Sequence, residues 1–277
     1  MRWEVDYVAQ AASKNQIIAG FNVFGYEDAL AVIHAAQRVN APVLLMVNRD
    51  ARERMEIEHW AALLGSLADA ASVPVGIHLD HCTQPDIIPR AIASGFTSVM
   101  YDGSKLPSEQ NLQTSETLAQ LAHEKNVLLE VELGTVPYND KGETQICLTD
   151  PEEAKRMQAE TNADWLAVSV GNIHRLTGQK VHISFPVLQT IEQACTLPLV
   201  IHGSSGIVEE ELQQLRHTHV GKMNFGTVLR QAFGNTLRKE MQENPNEFDR
   251  LKLFAKPIEQ VEQKAYSIIS TVWQEEK

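Results

Sequence analysis

The feature that most constrains this chain is an eightfold alternation. Short β-branched or otherwise apolar runs recur between longer stretches of helical period, the pattern of repeated βα units around a parallel sheet. Strand candidates fall at 17–23, 43–47, 75–79, 98–101, 128–133, 165–168, 199–202 and 220–225. Their near-continuous apolar character is that of strands covered on both faces. Eight such units predict an α/β fold of the (β/α)8 TIM-barrel type. The 277 residues, 43% of them hydrophobic, supply one large core, so 1–277 is expected to be a single domain. Two additional C-terminal helices are expected, at 227–243 and 245–273, with Asn244-Pro245 breaking between them. One helix start is legible residue by residue: Thr149-Asp150 ahead of Pro151-Glu152-Glu153 combines a cap, a first-turn proline and first-turn acids. A doubly wound open sheet is the competing architecture. Its glycine-rich turn after the first strand is missing, because the chain there reads Ala19-Gly20-Phe21-Asn22-Val23-Phe24-Gly25.

The formal net charge of -12 offers no basic field to a nucleic acid or an anionic membrane, so neither is expected as a partner. No apolar run approaches the roughly 20 residues needed to span a bilayer, and the opening residues lack the apolar stretch of a signal peptide. The three cysteines, Cys82, Cys147 and Cys195, are an odd number without paired spacing and read as buried, inert thiols in a reducing compartment. A cytoplasmic location is expected. The acidic balance is no objection to an anionic substrate, because backbone amides, helix N-termini or a metal concentrate positive character locally.

The residues with metal-binding or acid–base capacity fall at the C-terminal ends of different strands, where barrel enzymes assemble their sites. His78, Asp80 and His81 follow strand three, Asp102 ends strand four and Glu132 ends strand five. His174, His202 and Asn224 follow strands six, seven and eight. A single buried histidine is more often a hydrogen-bonded core side chain than a ligand. Three neutral imidazoles, from His81, His174 and His202, would give zinc three protein ligands and leave positions open for substrate oxygens, the pattern of a catalytic site. Asp80 stands next to His81 and can move a proton to or from a substrate hydroxyl. His78 is a candidate for orienting a ligand. His34, His59 and His123 lie within helices, His217 and His219 flank the bottom of a strand, and His182 is left unassigned. Gly203-Ser204-Ser205-Gly206 and Asn224-Phe225-Gly226-Thr227 follow the last two strands, each ahead of a helix, where this barrel usually cradles an anion.

These residues resemble the class II, metal-dependent ketose-bisphosphate aldolases, including the fructose and tagatose branches, over nearly the whole chain. The carriers are Gly20-Phe21-Asn22, His78-Leu79-Asp80-His81, Asp102-Gly103-Ser104, Glu130-Val131-Glu132-Leu133-Gly134, Thr149 to Ala154, His202 to Gly206 and Lys222-Met223-Asn224. The resemblance implies zinc on His81, His174 and His202, with Asp102 and Glu132 near an alternative or inner metal position and room for a second monovalent or divalent cation. It implies Asp80 as acid/base at the C4 hydroxyl, and Gly203, Ser205, Asn224 and Thr227 holding the phosphate or C1 end. Asn22 and Asn48 would face the sugar. The reaction implied is reversible retro-aldol cleavage of a ketose or ketose phosphate into a dihydroxyacetone-type ketone and an aldehyde, by a homodimer or homotetramer.

The chain departs from the family's pattern in three places. The loop after strand five reads Thr135-Val136-Pro137-Tyr138-Asn139-Asp140-Lys141-Gly142-Glu143 in place of a double-glycine acidic stretch, leaving Asp140, Glu143 or Tyr138 to substitute for its glutamate; the loop itself reads as a solvated lid. His174 is followed by Arg175 rather than glycine, so Arg175 and Arg49 become candidate readers of a phosphate, sulfonate or carboxylate. Gly226 stands where Asp or Asn is frequent. These changes point to an active aldolase with an unusual ketose. A zinc hydrolase would need a His-x-His pair after strand one, which Phe21-Asn22-Val23-Phe24 does not supply, and a non-catalytic sugar-phosphate binder would be expected to have lost Asp80 or a histidine.

Overall fold

The structure is a computed structural model and describes residues 3–139, 142, 146–175 and 180–274. Eight parallel strands close into a barrel in sequence order: β1 (Ile18–Asn22), β2 (Val43–Val47), β3 (Val75–Cys82), β4 (Ser98–Tyr101), β5 (Leu128–Leu133), β6 (Trp165–Val168), β7 (Leu199–Ile201) and β8 (Val220–Phe225). Closure is direct, since β1 pairs in parallel with both β2 and β8. The apolar strand runs follow from this closure: one face of each strand packs under helices and the other fills the barrel.

Inside, Ile18, Leu44, Met46, Met100, Trp165, Ala167 and Val200 form one buried cluster, and Trp3 packs against it. Side chains alternate across a strand, so the inward set runs with period two. The same parity that points Met46 and Met100 inward carries Asp80, Glu130, Glu132 and Asn224 toward the barrel's axis and its upper rim. Gly76 makes room in the interior, where an added Cβ would stand 2.6 Å from Leu44 and 2.9 Å from the Trp3 ring.

Three strands differ from their expected bounds, β1 by one residue at each end. β7 stops at Ile201, leaving His202 just beyond it, and β3 runs on through Asp80 and His81 to Cys82. In a regular strand adjacent residues point to opposite faces. Here the register with β4 shifts between Leu79 and Cys82, and His81 adopts φ 48°, a left-handed conformation uncommon for a side chain of this kind. The bulge turns His81 back toward the axis, so Asp80 and His81 serve the same site.

The helix over Pro151–Thr161 starts as expected, with the Asp150 carboxylate accepting from the Glu152 amide at 2.8 Å. At the C-terminus the helix Thr227–Glu243 has its expected bounds, but the next begins at Arg250 rather than at 245. Pro245 disfavours helix for the residue before it, and the side chain that caps the helix is Asp249, which accepts from Leu251. Cys82 and Cys195 are buried free thiols, whereas Cys147 is exposed, contrary to expectation: its segment pairs with the loop after β5 at Thr135 and not with the core. No described helix is long and apolar enough to cross a membrane.

Candidate active site

At the C-terminal rim of the barrel, ring nitrogens of His81, His174 and His202 approach one another closely enough to share one metal ion, all within 4.8 Å. They arrive by different routes. His81 comes from the β3 bulge and His202 from the residue after β7. His174 sits in the long connection after β6, where its amide donates to the Pro137 carbonyl and its carbonyl accepts from the Asn139 amide. Gly203, at φ 64°, allows the loop after β7 to pass this segment; a Cβ there would stand 2.5 Å from the Ile173 carbonyl oxygen.

The His202 ring is oriented from behind. Its Nε2 lies 2.7 Å from Glu130 Oε1, which makes Nε2 the donor and leaves the Nδ1 lone pair facing His81 Nε2 at 2.7 Å. Glu130 is in turn held by Lys222 Nζ at 2.5 Å, and Lys222 lies 3.3 Å from His78, whose other nitrogen meets Ser98 at 2.9 Å. All of these side chains are buried in the barrel. Glu130 and Lys222 carry the resemblance in the sequence without a role of their own, although parity groups Glu130 with Glu132 on β5 and Lys222 with Asn224 on β8.

Asp80 lies beside this cluster, buried, with both oxygens engaged. Oδ2 accepts from Asn22 Nδ2 at 2.7 Å and Oδ1 from Asn224 Nδ2 at 3.1 Å. Burial pushes its carboxyl up, but the charges of His81 and Lys222 and the Asn22 hydrogen bond outweigh this and hold it below the ordinary value. Asn22 and Asn224 thus spend one amide group each on Asp80. Gly226 serves the same arrangement, since a Cβ there would stand 2.7 Å from Asn22 Oδ1.

Asp102 and Glu132 reach His81 from the opposite side, each with an oxygen 3.6 Å from its Nδ1. Ser104 donates its hydroxyl to Asp102 at 2.6 Å. Burial disfavours a charge on His81, yet Asp80, Asp102 and Glu132 together lift it to about 9. Burial, reinforced by positive charge on His81, pushes His174 and His202 well down, so both are neutral imidazoles. Glu132 is pushed well up, by burial first and by Asp102 next. The site therefore draws one positive charge into a ring of carboxylates.

A metal ion fits this donor set. His81 Nδ1, His174 Nε2 and Glu132 Oε2 are buried without a hydrogen-bond partner, a costly arrangement unless something else occupies their lone pairs. Three imidazoles suit zinc, and His81 with Asp102 and Glu132 forms a second constellation of metal-ligating type.

The remaining expected residues assemble around this centre. One cavity of about 50 Å³ touches Asn22, Asn48, Asp80, His174, Arg175, Gly203, Ser205, Asn224 and Thr227. An adjoining cavity of about 220 Å³ is bounded by Asp102, Glu132, Arg49 and Lys105, and shares Asn48, His81, Tyr138, His174 and Arg175 with the first. Asn48 caps the short helix after β2 through Oδ1, which accepts from Ala51. Gly203, the 3-10 turn Ser204–Gly206 and the first turn of Thr227–Glu243 place small residues and a helix start together, with the Val228 amide donating to Ser205 Oγ at 3.4 Å, an arrangement suited to an anion.

Among the described residues of the loop after β5, Tyr138 packs against the site. Tyr138 stacks on His174 with ring centroids 4.4 Å apart and pairs with it as an isolated bridge. Its phenol is pushed up, by burial first and by Asp80, Glu132 and Asp102 after it. Asp140 and Glu143 lie outside the described residues. His182 is exposed and pairs with Glu211 away from the site.

The family model described as Fructose-bisphosphate aldolase class-II matches residues 5–277. The chain belongs to that family. As a class II aldolase it is an aldehyde-lyase, and its reaction is retro-aldol cleavage. It is 34% identical over 257 residues to the fructose-bisphosphate aldolase of Mycoplasma genitalium, covering 88% of each chain. It is 28% identical to the sulfofructosephosphate aldolase of Alkalicoccus urumqiensis, over 83% of this chain and 82% of that one. Among solved structures, the YdjI aldolase of Escherichia coli K12 superposes with a TM-score of 0.84 at 28% identity, covering 97% of this chain and 96% of its own.

Proposed function

We propose that this class II aldolase cleaves the C3–C4 bond of a ketose phosphate at a site where His81, His174 and His202 hold zinc and Asp80 handles the C4 hydroxyl proton. The observation that carries the reading is the convergence of three ring nitrogens beside a carboxylate whose two oxygens are each fixed by an asparagine. When zinc is bound by these imidazoles, the chemistry supplied is Lewis-acid polarisation of neighbouring carbonyl and hydroxyl oxygens.

The chain's own residues do the rest. Gly203, Ser205 and Thr227 receive the phosphate or C1 end at the cradle, which sets the ketose against Asp80. Asp80, kept ionised and aimed by Asn22 and Asn224, accepts the proton of the C4 hydroxyl as C3–C4 breaks. The aldehyde half leaves with its new carbonyl at C4, and protonation at C3 releases the dihydroxyacetone-type ketone. Glu130 and Lys222 hold the His202 ring, and Tyr138 covers the His174 ring. Asp102 and Glu132 lie where they can support an alternative or second cation beside His81. Asn48 and Arg175 face the sugar from the shared wall of the two cavities. We place the enzyme in the cytoplasm as a homodimer or homotetramer; exposed apolar residues such as Phe248, in the connection before the last helix, and Leu251, in that helix's first turn, are of the kind subunit contacts cover.

A second reading, in which the far end of the ketose carries a sulfonate or carboxylate, is favoured by Arg175 at the cavity wall and by the similarity to a sulfofructosephosphate aldolase. The test is product detection across fructose and tagatose bisphosphates, their monophosphates and acid-bearing six-carbon ketoses. Cleavage of at least one ketose is expected, falling about 10²–10⁴-fold in Asp80→Ala, the usual worth of a positioned acid–base group. Undiminished cleavage by Asp80→Ala would overturn the assignment.

A further inference from the structure

Aldol cleavage moves two protons in opposite directions, and Asp80 accounts for one of them. As C3–C4 breaks, a base takes the proton of the C4 hydroxyl. The electron pair of the bond is left at C3, where an acid must deliver a second proton. Asp80 is badly placed to do both, because Asn22 and Asn224 each fix one of its oxygens and it borders the smaller cavity alone. The bond that breaks separates a ketone half seated at the cradle from an aldehyde half that leaves through the larger cavity. C3 then stands where the two cavities meet.

Among the described residues, Asn48, His81, Tyr138, His174 and Arg175 border both cavities. The two imidazoles are assigned to the metal. An amide has no acidic proton to give, and a guanidinium does not give one up in water. That leaves the Tyr138 phenol, on a side chain held more firmly than most in loops. The His174 amide donates to the Pro137 carbonyl at 2.9 Å and the Asn139 amide to the His174 carbonyl at 3.1 Å, so the backbone is clamped on both sides of Tyr138. Its ring lies on His174 with 15° between planes, meets His81 edge-on at 6.1 Å and has the Arg175 guanidinium 5.5 Å from its centre. Burial first, and then the carboxylates of Asp80, Glu132 and Asp102, favour its O–H form.

We propose that Tyr138 is the catalytic acid of the second proton transfer, delivering its phenol proton to C3 once C3–C4 has broken. The O–H bond breaks, and C3–H forms with the electron pair that the departing aldehyde leaves behind. Water entering through the larger cavity returns the phenolate to phenol. In the synthetic direction the same oxygen, as phenolate, removes the C3 proton of the ketone. Stacking on His174 moves no proton itself; it fixes the hydroxyl relative to the three imidazoles, so the two proton transfers are made by groups from different strands. This inference rests on the aldolase reading and supplies a residue for its last step.

The experiment isolates that step. Zinc-loaded enzyme in heavy water is given dihydroxyacetone phosphate or dihydroxyacetone with no aldehyde, and exchange of the carbon-bound hydrogen is followed by NMR. Wild-type enzyme is expected to exchange at least one of the two ketones. Tyr138→Phe keeps the ring on His174 and removes only the hydroxyl. Its zinc affinity, measured by chelator competition, should match the wild type while exchange falls about 10²–10⁴-fold, the usual worth of a positioned acid–base group. Exchange at the wild-type rate in Tyr138→Phe overturns the proposal and leaves the aldolase reading standing. So does exchange that survives in Tyr138→Phe and is lost in Asp140→Asn or Glu143→Gln, two acids of the same loop outside the described residues. A fall in zinc affinity as large as the fall in exchange would make the hydroxyl a structural group and overturn it too. Wild-type enzyme that exchanges neither ketone overturns both readings.

Discussion

Single side chains at this site are held by partners that are themselves held. His202 is oriented by Glu130, and Glu130 by Lys222, so the tautomer that frees His202 Nδ1 depends on two residues that never face the cavity. Replacing such a partner typically weakens metal binding 10–100-fold. Glu130→Gln is expected to lower zinc affinity by that factor, measured by competition with a chromophoric chelator. It also strands the buried Lys222 charge, at a cost of about 3–5 kcal/mol. Glu130→Gln combined with Lys222→Met should recover thermal stability without recovering zinc affinity; recovery of both would show that Glu130 acts only through folding. The three converging histidines were legible as imidazoles that follow three different strands. Glu130 was not, because it sits in the run Leu128 to Leu133 beside Glu132, and only the parity of the strand separates inward carboxylates from a solvated pair.

Elements supply the geometry that residue identity alone does not. The β3 bulge sets Asp80 and His81 on one side of the strand, and the sequence carries no glycine or proline to announce it; the only trace is that two neighbouring polar residues both have work at the same site. Gly203 is the reverse case, a glycine whose need is visible only once its φ of 64° and the nearby Ile173 carbonyl are known. Gly203→Ala combines a left-handed alanine with a Cβ 2.5 Å from that oxygen. A loss of about 1–3 kcal/mol is expected, at roughly 2–4 °C in melting temperature per kcal/mol, together with weaker binding at the cradle. An unchanged melting curve would mean that the loop after β7 relaxes freely and does not fix the anion site. The outer helices were read well where a cap was present, as at Asp150, and poorly where Pro245 suggested a start that Asp249 makes instead.

At the scale of the whole molecule, the alternation of eight apolar runs was sufficient to predict the closed barrel, because a parallel strand covered on both faces leaves few other architectures. How the barrel is plugged was not legible: Trp3 and the Asp6 that accepts from Trp165 come from a segment with no strong pattern of its own. Asp6 also links stability to pH. Burial, opposed by its hydrogen bonds, raises its carboxyl above the ordinary 3.8, so the protonated form is favoured in the folded state. The contribution is present below 3.8 and is lost as pH rises through the elevated folded value. Asp6→Asn can keep the capping bonds without the charge. Relative to the wild type it should gain stability between pH 4 and pH 7, and a difference that does not change with pH would contradict this.

The account as a whole turns on one metal centre. The decisive measurement is titration of chelator-stripped enzyme with zinc, following bound zinc and ketose cleavage together. The account predicts no cleavage in the stripped protein and activity that rises in step with binding to saturate at one zinc per chain, with both lost in His81→Ala and His174→Ala. Full cleavage by the stripped enzyme, or stoichiometric zinc binding that survives loss of these histidines, would contradict it.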